Sequence, residues 1–167
     1  MFELKPISAS GIAAALEKAE RYRLLNDPVA AESICQDILL LQPENQDALV
    51  TLLLARTDQF ATSHGAGDAA AREVLPRLKS AYDREYYTGL ISERRGKALL
   101  GAVRPGSHAM AWICFRDAME AYEKAAGLAP AGNDDAVLRW NTCVRVLNAN
   151  EHLAPEESSL STPVLDD

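Results

Sequence analysis

Three histidines and three cysteines are the side chains best suited to nucleophilic or metal chemistry in this chain of 167 residues. His64 sits in His64-Gly-Ala-Gly-Asp68, His108 follows Pro105-Gly106-Ser107, and His152 lies close to the end of the sequence. A nucleophile needs a base beside it, and none of these positions shows a catalytic spacing. Cys35, Cys114 and Cys143 are far apart and odd in number. They fit neither a disulfide framework nor a metal knuckle, and read as small apolar side chains in a reducing compartment. The glycine-rich stretch after His64 lacks the Lys-Ser/Thr of a phosphate loop and a preceding strand, so it reads as a connection between helices. Asn133-Asp134-Asp135 reads as a helix cap instead of an ion site. The expectation is no catalytic residue, no metal and no cofactor.

Composition narrows the class further. With 48% apolar and 25% charged residues, the chain is of globular type, and its length suits one domain with a real core. A net charge of −7 disfavours phosphate contacts and anionic membrane surfaces. There is no apolar run long enough for a transmembrane helix. Met1–Gly11 has no basic stretch followed by an apolar one, so no signal peptide is expected, and the localisation expected is cytoplasmic.

The elements that must position any site carry an internal repeat. Ala31-x3-Cys35-x2-Ile38-x4-Pro43 and Ala118-x3-Tyr122-x2-Ala125-x4-Pro130 have identical spacing. Steps of three and four place these residues on one helix face, and proline ends each run. Ala71-x3-Leu75-x2-Leu78 is a third, looser copy with Asp83 in the proline place. The periodicity predicts seven helices: 10–25, 28–41, 45–58, 68–81, 83–100, 107–127 and 134–148. Pro28 suits a first turn. Asp68 is the expected N-cap of the fourth helix, and Pro76 should kink or shorten it. In the last helix the stripe Val137, Trp140, Val144 and Leu147 should cover the apolar end of the array, with Arg139 and Asn141 pointing elsewhere. Residues 1–149 then form one domain, and 150–167, with five acids and no base, read as a disordered tail.

These spacings resemble the tetratricopeptide repeat (TPR). Ala19 and Tyr22 fit the first-helix positions of one repeat, Gly89 and Gly96 those of another, and Leu53 departs from the small residue expected. The resemblance covers about residues 10–148 and implies an all-α fold, a right-handed α-solenoid of antiparallel helix pairs. It also implies a concave groove lined by the first helix of each pair. Carried over position by position, the groove holds Leu16, Glu20 and Arg23; Asp47, Val50, Leu54 and Asp58; Tyr86, Leu90, Glu93 and Arg94; and Asn141, Val144 and Arg145.

Such a groove suits a partner peptide or helix, making the chain a protein-binding scaffold or adaptor and not an enzyme. Tyr86, Arg94 and Arg145 would be the anchors, and Arg94 would meet an anionic partner segment. Leu16, Glu20 and Leu54 replace the lysine and asparagines of the family's carboxylate clamp, which excludes the chaperone-tail role. A secretion-type chaperone and an enzyme or enzyme subunit using the inserted stretches 57–68 and 97–111 are the alternatives. The partner is another protein, with neither nucleic acid nor membrane involved, and self-association is left open.

Overall fold

The computed structural model describes residues 2–62, 66–102 and 104–154, and every regular element among them is helical. Capping residues set most boundaries. Helix α1 (Ile12–Leu24) stops at Asn26, whose φ of 61° is a left-handed conformation that asparagine tolerates. Pro28 opens α2 (Pro28–Leu41), where its missing N–H costs nothing, and Asp27 Oδ1 accepts the Ala30 N–H at 3.2 Å. Asn45 caps α3 (Gln46–Asp58) by accepting from Ala48 at 2.9 Å.

The fourth helix departs from the expected span 68–81. It is Ala66–Arg72, followed by a 3-10 turn at Leu75–Arg77. Pro76 explains the break: it has no N–H for the carbonyl four residues back, Arg72, and its ring collides with that carbonyl. Asp68 consequently lies inside α4 and is not its cap. Ser80, accepting from Asp83 at 3.1 Å, starts α5 (Ala81–Leu100) two residues before the expected position. Helix α6 (Ser107–Leu128) and helix α7 (Asp135–Ala149) follow.

Each helix packs on the next in sequence, and α1 also meets α3 while α3 meets α5. Two cores result. The first joins α1 to α4 and takes Ile91 and Tyr87 from α5; the second lies among α5, α6 and α7. Leu153, in a 3-10 turn at Glu151–Leu153, is 2% exposed and packs beside α6 and α7. The fold therefore runs past residue 149, and residues 155–167 of the expected tail lie outside the described residues.

The closest approach in the fold is between α5 and α6. A Cβ at Gly89 would stand 2.7 Å from the Tyr122 ring, and one at Gly96 3.0 Å from Phe115. The two rings lie directly on the backbone of α5. Gly127, near the end of α6, has nothing within 4 Å of such a Cβ.

Helix α7 docks through part of the expected stripe, Trp140 and Leu147, which pack against the second core. Ala136 and Cys143 are the residues buried on it, whereas Val137 is 44% exposed and Trp140, Val144 and Leu147 are half-buried. Arg139 points inward, to Glu93.

Alanine at these glycines separates packing from helix propensity. Gly89→Ala should cost about 1–3 kcal/mol by overpacking, net of any propensity gain, and Gly96→Ala somewhat less. Gly127→Ala should instead add up to about 1 kcal/mol, the propensity difference alone. Urea unfolding of the three variants tests the order; equal midpoints for Gly89→Ala and Gly127→Ala would contradict the close contact.

Candidate partner-binding face

Asp58, at the end of α3, ties α1 and α5 to α3. Arg23 on α1 donates to its Oδ2 at 2.8 Å, and Arg94 on α5 donates to its Oδ1. The Arg94 guanidinium also donates to Thr57 Oγ1 at 2.6 Å and to the Leu54 carbonyl at 3.3 Å. The side chains of Arg23, Asp58 and Arg94 are 18%, 24% and 25% exposed. These ion pairs are thus partly shielded from solvent, which strengthens them relative to pairs in open water.

This network brings together Arg23, Leu54 and Arg94 of the expected groove. Around it, Leu16 and Val50 are half-buried and pack against the first core, as does Leu54 itself. Glu20 and Asp47 are exposed. Leu90 is 2% exposed and belongs to the packing, so it offers a partner no surface. Tyr86 is half-buried in a ladder of rings: it stacks on Tyr82 at 5.6 Å, meets Tyr87 edge-on at 5.2 Å and leans on Tyr122 at 5.8 Å. Asn141 and Arg145, half-buried and exposed, are on the side of α7 turned away from Arg139. The structure therefore does not bring them to the Asp58 network.

Glu93, one residue before Arg94, has a different place from the groove position expected for it. It is 0% exposed. Tyr122 donates its hydroxyl to Glu93 Oε2 at 2.6 Å, while Lys97 and Arg139 converge on Oε1, Arg139 at 3.4 Å. Burial first, and then the Glu93 charge, push the Tyr122 hydroxyl pKa far up, so the phenol keeps its proton. The spacing Gly89-x3-Glu93-x2-Gly96 carries the sequence signal for this site. It puts the carboxylate on the stripe with the two glycines, which faces a neighbouring helix.

Two further networks tie elements together. Arg56 and Gln59 on α3 reach Glu32 on α2, at 2.9 Å each, and Arg56 also donates to the Ala70 carbonyl. Asp68 Oδ2 accepts from Arg72 and from Arg95 on α5, both at 3.0 Å.

The cysteines are held as thiols. All three cysteines are free and buried, and burial raises each thiol pKa, to about 12 for Cys35 and Cys143. Only a thiolate attacks or binds metal. His108 and His152, both exposed, meet with ring centres 5.5 Å apart; His64 lies outside the described residues. Among the described residues no group of three or more His, Cys, Asp and Glu is placed to hold a metal ion, and no helix is long and apolar enough to cross a membrane. No family model, no curated protein and no solved structure matches the chain.

Two measurements follow from the buried groups. Glu93→Ala leaves the Tyr122 hydroxyl buried without an acceptor and should cost about 3–5 kcal/mol, the scale for breaking a buried charged pair. Tyr122→Phe, which keeps the ring, should cost less. A Glu93→Ala chain with the urea midpoint of the unaltered protein would contradict this.

The thiols predict an alkaline limit. Their folded pKa of about 12 lies above the ordinary 9.0, so the folded chain holds these protons more tightly than the unfolded one. The stabilisation is complete below pH 9.0 and is lost as pH rises through 9.0 towards 12. Melting temperature should fall over that window, and the fall should be shallower in the Cys35→Ala, Cys143→Ala double variant.

Proposed function

We propose that the chain is a TPR-like adaptor, built as an α-solenoid, that binds a segment of another protein along the face shared by α1, α3 and α5 and continued by α7. The observation that carries this reading is the surface left around Asp58. Leu16, Val50 and Leu54 form a half-exposed apolar strip from two neighbouring helices, with exposed Glu20 and Asp47 beside it. Partly open leucine and valine side chains beside free carboxylates suit an amphipathic helix laid along the strip.

The charge of that partner differs from the sequence expectation. Arg23 and Arg94 are both engaged by Asp58, so Arg94 is not a free hook for a carboxylate. Beside the apolar strip, the side chains with no ion pair among the described residues are the acids Glu20 and Asp47, whereas the unpaired Lys18 and Arg21 of α1 lie round the helix from Leu16. The partner segment is therefore basic beside its apolar stripe. Arg94 acts as a positioning residue, holding α5 against the end of α3, and Arg145 stays available on α7.

Affinity purification from the native cell identifies the partner, and its affinity for variants tests the face. The Glu20→Lys, Asp47→Lys double variant should bind at least about 2 kcal/mol more weakly if the strip is the hot spot. Lys124→Ala, on the exposed side of α6 and paired with Glu120, should bind like the unaltered chain. The opposite pattern would place binding on the second helices and discard the proposal.

A further inference from the structure

A second groove lies away from this face, between α2, α3 and the turn at Leu75–Arg77. Its volume is about 400 Å³. Leu39, Leu40 and Leu52 give it an apolar floor, and Leu4 of the N-terminal arm closes one side. Leu40 is 69% exposed and Leu4 81%, which is unusual for leucines sharing one depression and marks a place where a segment can dock.

The rim carries two guanidiniums, Arg56 and Arg77, against one carboxylate, Asp37. Arg56 is engaged by Glu32 and the Ala70 carbonyl. Arg77 gives one N–H to the Pro43 carbonyl at 2.7 Å and has no ion pair among the described residues. In a chain of net charge −7, Arg77 is thus a cation left without an ion pair beside an apolar floor.

We propose that the groove takes residues 155–167 of the same chain, with Val164 and Leu165 on Leu40 and a neighbouring carboxylate on Arg77, the groove's cation without an ion pair among the described residues. The segment matches the apolar floor and that one cation. It holds Glu156, Glu157, Asp166 and Asp167 and no basic residue, and Val164-Leu165 stands immediately before the last two acids. The ten steps from Ala154 to Val164 span up to about 33–36 Å, about the length of α6, which is about 33 Å for its 22 residues. Tethering gives the segment an effective concentration of the order of mM, which places it ahead of a second copy at micromolar protein. The contact is an internal ligand: an external segment of the same chemistry, apolar with flanking acids, has to displace it.

The test uses the full chain with a nitroxide on Thr162→Cys. Cys35, Cys114 and Cys143 are buried and stay unlabelled. Amide signals of Ser33–Leu40 should lose intensity, recover when the nitroxide is reduced, and recover equally in Arg77→Glu and in Leu40→Asp backgrounds. Leu40 is exposed, so the second variant keeps the fold. Arg145→Glu should change nothing. No loss on α2, a loss that survives both groove variants, or a loss seen only between separately labelled copies would each overturn the proposal.

Discussion

The fold is organised around one buried carboxylate. Removing the Glu93 charge from water costs several kcal/mol, and such a cost is recovered only with good geometry and satisfied lone pairs. Tyr122 supplies the short bond at 2.6 Å, and Lys97 and Arg139 supply the compensating charge. For the Tyr122 hydroxyl to reach the carboxylate, its ring must lie flat on α5, and only glycine at position 89 leaves room for it. Gly96 does the same for Phe115. The carboxylate, the two glycines and the two rings are thus one packing solution. With α6 fixed against one side of α5, the other sides present Tyr87 and Ile91 to the first core and Arg94 to Asp58.

That arrangement decides what the exposed face can offer. Charges of both signs are plentiful in the sequence, but Arg23 and Arg94 at Asp58, and Arg56 at Glu32, are absorbed in holding helices to each other. Charges used this way are structural, and their removal would loosen the packing of α1 and α5 on α3. The acids Glu20 and Asp47 have no such task and remain at the surface. The electrostatic character of this face is therefore set by its unpaired residues and not by the composition of the helices.

The caps were legible because they act locally. Asp27-Pro28 and Asn45 state where α2 and α3 begin, and the structure places those starts within a residue of the reading. Pro76 was legible as a disruption. Its full effect, ending α4 four residues earlier and leaving a 3-10 turn, follows from backbone geometry that apolar spacing does not encode. Of the candidate face, Arg23, Leu54 and Arg94 lie together, because Asp58 draws one arginine from α1 and one from α5 to the end of α3. Leu90 was misread, since periodicity assigns a face but not what lies over it. Glu93 was misread for a related reason: a glutamate beside two arginines reads as a solvated cluster until its spacing from Gly89 and Gly96 is considered.

The docking of α7 shows how far that one carboxylate reaches. Hydrophobic burial alone favours turning Val137 and Val144 inward, because each valine removes more apolar area from water than Ala136 or Cys143. The structure does the reverse, burying the alanine and the cysteine and leaving Val137 44% exposed. Trp140 and Leu147 stay in the contact, so the change is a partial rotation about the helix axis. Arg139 supplies the reason. With the valines inward, its guanidinium would swing away from Glu93, and the buried charge would lose one of its two cationic partners. The forfeited valine burial is small beside the penalty of a poorly compensated charge in the core. Small residues at 136 and 143 then follow as a consequence, since they let α7 come near enough for Arg139 to reach inward. A polar contact has selected the face of the last helix against the ordinary apolar preference, and by doing so it leaves Asn141 and Arg145 on the open side of α7.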